Sequence, residues 1–229
     1  LPVGRTLARG VALSMTFSLR ELVGAGRSVR RALERGDLPE ARARLGLHLV
    51  SRETGDLSPS QVAGAAIQSL AENFNDSVVA PLLWARLGGL GAAWAFRFLN
   101  TADAMLGYRT DELEDLGVVA ARTDDLAGLL PARLSAALLV AGAPLVGGSA
   151  RTGARVARRD ARRTPSPNGG WPMAAVAGVL GVRLEKHGVY RLNPGGREPD
   201  TRDLRRVERL VLAAGLATLA AAGLSGGRP

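Results

Sequence analysis

The 229-residue chain has no cysteine, a single lysine at position 186, and only two histidines, His48 and His187, far apart in sequence. The missing thiols exclude disulfides, thiol catalysis and cysteine metal ligands. Two isolated histidines speak against a histidine-built metal site and read as surface or packing residues. Any metal here is expected to be a hard cation held by oxygens. Aromatics make up only 4% of residues, so the positive charge is not interleaved with the stacking platforms that single-strand nucleic-acid binders use. The sequence contains no P-loop, no glycine-rich dinucleotide fingerprint, no Gly-x-Ser-x-Gly elbow and no internal repeat.

What is present is apolar and strongly charged at once. Hydrophobic residues reach 46% beside 22% charged ones, with a mean hydropathy of +0.07. The net charge of +9 is carried almost wholly by arginine. The arginines cluster at 27–44, 151–163 and 202–209, between apolar segments, which is the positive-inside pattern of a membrane protein more than the footprint of a nucleic-acid binder. The expectation is an all-α, polytopic helical membrane protein, one domain over residues 1–229, with charged cytoplasmic loops and a multi-pass location in the cell membrane.

Local signals divide the chain. Residues 11–23 form a short apolar run, followed by a charged helix over 27–34. Gly36-Asp37-Leu38-Pro39-Glu40 reads as a helix stop followed by a new cap, and Ser58-Pro59-Ser60-Gln61 as a capping box. Helical spacing over 61–72 puts Glu72 and Asp76 on one face if the helix continues. Residues 78–99 are membrane-length but interrupted at Gly88-Gly89, which suggests a helix pair or a broken helix. Residues 126–146 are a cleaner span, 171–182 a shorter apolar helix and 210–224 a terminal one. Residues 151–168 read as a solvated cytoplasmic loop.

The polar residues of 72–133 stand at the ends of these apolar runs, where they are costly and therefore suspect. Glu72, Asn73 and Asp76 can address a cation or an amine, or simply cap and pack. Asn100 and Asp103 share a helical face, or one caps the next helix. Asp124 and Asp125 cannot point the same way; one can bind metal while the other caps the 126 helix or pairs with Arg122. Arg122 and Arg133 suit phosphate or carboxylate oxygens, or an interfacial salt-bridge network. Trp171, after the turn at Asn168-Gly169-Gly170, is an interfacial anchor or a substrate platform. Tyr108 and Tyr190 stay open.

Five ordered blocks resemble one family: Ser51-Arg-Glu-Thr54, Glu72-Asn-Phe-Asn-Asp-Ser-Val-Val-Ala-Pro81, Asn100-Thr-Ala-Asp-Ala-Met-Leu-Gly-Tyr-Arg109, Ala121-Arg-Thr-Asp-Asp125 with Pro131-Ala-Arg133, and Ser166-Pro-Asn-Gly-Gly-Trp-Pro-Met-Ala-Ala-Val-Ala-Gly-Val-Leu-Gly181. Their order resembles the adenosylcobinamide-phosphate synthases, the CobD/CbiB membrane proteins of cobalamin biosynthesis. The family's further N-terminal membrane segments, with Asp-Pro and His-Pro motifs, have no counterpart in these residues. Gly170 and Met173 replace its usual alanine and glutamate. The resemblance implies ATP- and Mg2+-dependent amide formation between adenosylcobyric acid and aminopropanol or its phosphate. It implies catalytic roles for Glu72, Asp76, Asp103, Asp124 and Asp125, with metal at Asp124, Asp125 and Glu72. Asn73, Asn100, Tyr108, Arg122, Arg133, Asn168 and Trp171 would bind substrate. The partners implied are the corrinoid, the amino alcohol, the lipid bilayer and other cobalamin-assembly enzymes, with no nucleic acid and no tightly bound cofactor. Two other readings stay open: a non-catalytic membrane scaffold for those enzymes, and a transporter suggested by the interrupted segment.

Overall fold

The computed structural model describes residues 2–106 and 114–224. Its elements are α1 (Pro2–Ser14), α2 (Leu19–Glu34), α3 (Leu38–His48), α4 (Pro59–Phe74), α5 (Ala80–Leu106), α6 (Glu114–Ala141), α7 (Ala150–Asp160), α8 (Gly170–Leu180), a hairpin of β1 (Leu184–Lys186) and β2 (Tyr190–Leu192), and α9 (Thr201–Leu224). The fold is therefore mostly helical, and the small antiparallel hairpin, with Leu184 opposite Leu192, is an addition to the expected all-α architecture.

Helix starts follow the local chemistry. Asp37 accepts the Glu40 amide at 3.0 Å to open α3, after Gly36 turns the chain with φ 75°. Ser58 and Gln61 form the reciprocal capping box of α4. The apolar run at 11–23, in contrast, is two helices: Thr16 folds back on the Leu13 carbonyl with both its amide and its hydroxyl, and α2 begins afresh at Leu19.

The core is assembled by α2, α4, α8 and α9, with Val29, Ile67, Leu70, Phe74, Val176, Leu204 and Leu210 among its buried side chains. Small residues set the distances. A Cβ on Gly26 would lie 2.7 Å from the Leu70 side chain, so α2 makes room for that leucine of α4, and one on Gly178 would lie 2.7 Å from the Thr152 carbonyl, so α7 and α8 meet almost backbone to backbone. Helix α8 is buried along its whole length. It is a core helix, packed against α7, α6 and α4.

The arginine-rich stretches are helices. Residues 150–160 form α7, burying Gly153, Val156, Ala157 and Asp160 while Arg151, Arg155, Arg158 and Arg159 face out. The expected charged loop is thus an amphipathic helix followed by a short 3-10 turn, Ala161–Arg163. The other clusters lie on α2, α3 and α9. Arg30 binds Glu208 at 2.9 Å and Arg205 binds Glu34 at 2.6 Å, zipping α2 to α9.

One helical run, Pro59–Met105, kinked at Gly89, is long and apolar enough to cross a membrane; no other helix among the described residues is. The expected span at 126–146 ends as α6 at Ala141 and a 3-10 turn, Ala143–Val146. Both α5 and α6 nevertheless expose large apolar side chains, including Leu87, Phe98 and Met105 on the first and Val119, Leu126 and Leu130 on the second.

Asp160 pins the 3-10 turn and the hairpin to α7. Its fully buried carboxylate accepts hydrogen bonds from Arg159 at 2.7 and 2.8 Å and from the Asn193 amide at 2.8 Å, and pairs with Arg163 at 3.1 Å. Burial alone would raise its pKa, but the Arg159 and Asn193 hydrogen bonds and the two arginine charges hold the carboxyl below its ordinary range. Asp160→Asn is expected to cost about 2–3 kcal/mol in chemical unfolding. In the parent chain this contribution is complete above the unfolded carboxylate value of about 3.9 and is lost as pH falls through the lower folded value. The difference between parent and variant stability should therefore shrink in acid.

Candidate functional site

Helix α4 runs into a π-helical turn, Asn75–Val79, before α5 begins. One extra residue in that turn rotates α5 relative to the continuation of an ideal α-helix, a distortion that recurs at functional sites. Asn75, only 2% exposed, is held from both sides. The Ser135 hydroxyl of α6 donates to its Oδ1 at 3.0 Å, and its Nδ2 donates to Asp76 Oδ1 at 2.7 Å. Glu72 and Asp76 thus occupy one neighbourhood, oriented by the π-turn instead of by regular i,i+4 spacing.

A second group lies on α5 and α6. Asp103, Asp124 and Asp125 interact electrostatically, the Asn100 side chain approaches Asp124, and Asp76 connects this group to Glu72. The buried Asp124 Oδ1 has no hydrogen-bond partner among the described residues. Asp103 sits inside α5 and Asp124 and Asp125 inside α6, so none of them caps a helix, and Arg122 is exposed with no ion pair to either aspartate. Among the described residues no three carboxylates or histidines gather closely enough to hold a metal ion, so Glu72, Asp124 and Asp125 do not form a ready trio.

The third group is centred on Asn168. Its Nδ2 donates to the Asp125 carbonyl at 2.7 Å, and its Oδ1 accepts from Arg133 at 3.0 Å. Arg133 also reaches the Leu129 carbonyl at 2.9 Å and lies 5.0 Å from the Trp171 ring centroid, a cation–π distance. Trp171 is therefore a platform for this arginine. Pro131 deprives the Ala127 carbonyl of its helical donor, and the Trp84 indole supplies one from α5 at 3.2 Å. Gly169 lets the loop reach the first group: a Cβ there would lie 2.6 Å from Glu72 Oε1. At Gly170 a Cβ would overlap the Ala161 carbonyl, so this backbone admits no side chain there.

Two cavities flank Asn73. One of about 390 Å3 is lined by Glu21, His48, Asn73, Ser77 and Arg97 among others. The other, of about 230 Å3, is lined by Arg52, Gln68, Glu72, Asn73, Lys186 and Tyr190 among others. Asn73 belongs to both, with its amide donating to the Ser69 carbonyl and hydroxyl at 3.0 and 3.1 Å. The hairpin brings in Tyr190, whose hydroxyl donates to Gln68 Oε1 at 2.7 Å. Burial and the Glu72 charge push that hydroxyl up to about 12, so it stays a donor.

A model of the family described as CobD/Cbib protein matches residues 3–212. The chain belongs to the CobD/CbiB family. It is 44% identical over 215 residues to a probable cobalamin biosynthesis protein CobD of Methanothermobacter thermautotrophicus, covering 93% of this chain and 72% of that protein. It is 46% identical over 174 residues to the cobalamin biosynthesis protein CobD of Geobacter metallireducens, covering 76% and 54% respectively. With the Mycobacterium tuberculosis protein of that name it shares 44% over 208 residues, covering 87% and 66%. The chain thus spans about half to three quarters of these relatives. No solved structure matches it.

Of the family residues named from sequence, Glu72, Asn73, Asp76, Asn100, Asp103, Asp124, Asp125, Arg133, Asn168 and Trp171 fall into the three connected groups. Arg122 does not, and Tyr108 lies outside the described residues. Sequence reasoning misses Asn75, Ser135, Arg52, Gln68 and Lys186. The chain's only lysine is the one visible signal among them; Asn75 and Ser135 become partners only through the packing of α6 against the π-turn. Ser135→Ala should cost about 1–3 kcal/mol, because it leaves Asn75 Oδ1 buried without a donor. A thermal unfolding series that includes Ser135→Thr, which keeps the hydroxyl, measures this.

Proposed function

We propose that this CobD/CbiB chain serves cobalamin biosynthesis at the cell membrane, by ATP-dependent joining of the adenosylcobyric acid carboxylate to aminopropanol or its phosphate. The observation that carries the reading is the orphaned, buried Asp124 Oδ1, set among Asp76, Asp103 and Asp125. A buried carboxylate oxygen with no donor, amid further carboxylates, is suited to a cation.

Magnesium fits this donor chemistry. It binds through one or two carboxylates together with substrate phosphates and waters, and does not require a closed protein cage. Asp124 with Asp103 or Asp125 would hold it, and the ion would supply charge neutralisation to the nucleotide phosphates. Arg133 stands beside them with Arg162 in electrostatic range, a pair of guanidinium charges for phosphoryl oxygens. Trp171 and Asn168 fix the Arg133 plane before substrate arrives, so little reorganisation is needed when charge develops.

The reaction balances in two steps. A corrinoid carboxylate oxygen attacks the terminal phosphorus of ATP, forming a C–O–P linkage as the bond to ADP breaks. The amine then attacks the acyl carbon, its C–N bond forming as phosphate leaves, and its proton passes to a nearby carboxylate. Glu72 or Asp76, the carboxylates around the π-turn, would take that proton. The apolar faces of α5 and α6 would lie against lipid, in keeping with the single span-length run.

The test is product formation, followed by mass spectrometry, from adenosylcobyric acid, ATP, Mg2+ and the amino alcohol phosphate, with full-length protein in membranes. Asp124→Asn keeps the shape and removes the charge, and is expected to lower kcat/KM by about a hundredfold or more. Parent-like turnover by that variant would overturn the assignment of Asp124. Absence of ATP-dependent product from the parent protein would favour a scaffold role.

A further inference from the structure

Arg30 meets Glu208, Glu34 meets Arg205, and Leu19 seats on Gly215, so α2 and α9 run antiparallel. The arginine-rich end of α2 therefore lies beside the arginine-rich start of α9, and its apolar start lies beside the apolar half of α9. Two cavities follow this seam. One, of about 420 Å3, is bordered by five arginines, two glutamates, Val23 and Leu212. The other, of about 730 Å3, is bordered by Phe17, Leu19, Leu212, Leu216 and Leu219 among others. They share Val23, Arg27 and Leu212, so the basic cavity opens into the apolar one as a single groove.

The basic end carries an excess of positive charge, five arginines against two glutamates. Both glutamates are already taken: Glu34 pairs with Arg30 at 2.7 Å and Arg205 at 2.6 Å, and Glu208 with Arg30 at 2.9 Å. The other three arginines, Arg27, Arg31 and Arg209, are exposed and make no hydrogen bond or contact-distance ion pair among the described residues, although Arg27 lies within electrostatic range of Glu208. At the apolar end the two charges, Arg20 and Glu21, are opposite in sign, while Leu212 and Leu216 are 38% and 54% exposed. Along α9 the rise from Arg209 to Leu219 is about 15 Å, the depth of one leaflet of a hydrocarbon core about 30 Å thick. Helix α9 also packs against α5, part of the run long and apolar enough to cross a membrane.

We propose that the α2–α9 groove binds one anionic phospholipid, its headgroup phosphate held by Arg27, Arg31 and Arg209 and an acyl chain laid along Leu212, Leu216 and Leu219. Guanidinium forks suit phosphate oxygens, and basic pockets between helices at a membrane surface take acidic lipid headgroups. A free phosphate would satisfy the arginines and leave the leucines uncovered; an apolar partner would do the reverse. An anionic lipid answers both ends of the groove at once. The site shares no residue with the carboxylate groups of α4, α5 and α6. It rests on the membrane location proposed above and not on the amide-forming chemistry.

Native mass spectrometry of the full-length protein in mild detergent, titrated with phosphatidylglycerol, phosphatidylcholine and glycerol phosphate, tests this without turnover. Phosphatidylglycerol should bind about tenfold or more tighter than phosphatidylcholine, and glycerol phosphate should not displace it. The combined Arg27→Gln, Arg31→Gln and Arg209→Gln variant should weaken phosphatidylglycerol about a hundredfold. Arg151, Arg155 and Arg158 on the outer face of α7 give the matched control, since removing the same charge there should leave the affinity unchanged. All six arginines are exposed, so both variants should fold normally. Leu216→Glu, which puts a carboxylate in the path of the acyl chain, should also weaken phosphatidylglycerol about tenfold or more. Equal affinity for the two lipids, displacement by glycerol phosphate, or equal losses in the two arginine variants would overturn the site. A photo-reactive side chain at position 216 should cross-link to lipid; a cross-link to polypeptide would give the groove to a protein segment and overturn the lipid assignment. If the protein is recovered from the soluble fraction, the membrane location falls and the site with it. If it is recovered from membranes but shows no such selectivity, the location stands and the site falls.

Discussion

A buried asparagine in the middle of a helical bundle has to find a donor and an acceptor, and much of the site depends on how Asn75 does so. Left buried without partners, its amide and carbonyl would each cost free energy. The π-turn at Asn75–Val79 provides the register in which one end meets Ser135 of α6 and the other meets Asp76. Once that register is set, α4 and α5 diverge at the turn, and their carboxylates converge on the space beside α6. An exposed site would need no such device. A partly buried one does, because an unsatisfied polar group costs more than the strain of one wide turn.

The loop before α8 closes the arrangement from the other side. Asn168 clamps α6 at Asp125 and Arg133, while the adjacent glycine comes close to Glu72. Glu72, Asp76, Asp124, Asp125 and Asn168 are therefore linked in a ring that returns to Glu72 through Gly169. Moving any one element moves the rest. The close α7–α8 packing supports this, since α8 can hold the loop in place only if it is itself fixed, and Gly153 and Gly178 let it seat against α7 without intervening side chains.

How much of this is legible in sequence varies with the range of the interactions. Caps and stops are local chemistry, and the Ser58 box, the Asp37 cap and the break at Gly88-Gly89 all read correctly; Gly89 adopts φ 72° and ψ −170°, which a side chain would resist. The arginine-rich stretch after Ala150 misleads because its charge dominates its average. Its small buried residues Gly153, Val156, Ala157 and Asp160 fall at i, i+3, i+4 and i+7, a helical signature carried by weakly hydrophobic side chains. The hairpin escapes notice because three-residue strands show too little alternation to read. The carboxylates stand out because charge beside apolar runs is conspicuous. Their partners Ser135, Gln68 and Lys186 do not, because small or singly occurring polar residues look ordinary until another helix is laid against them.

The chain separates its charges by sign. Arginines occupy the outer faces of α7 and the α2–α9 seam, where Arg30, Arg159, Arg205 and Arg206 meet Glu34, Glu208, Asp160 and Asp203. The carboxylates near α4, α5 and α6 lie instead without contact-distance ion pairs among the described residues. A folded protein at neutral pH has little reason to gather unmatched carboxylates beside apolar helices unless something cationic joins them, because the desolvation and mutual repulsion otherwise count against folding. On the proposed function, the substrate amine and a magnesium ion would supply that compensation in turn. This links stability to occupancy: the protein should be more stable with both bound than with either alone, because each relieves repulsion that the other leaves. On that function the acidic ring is half of a charge-balanced complex, whose other half would arrive with the substrates.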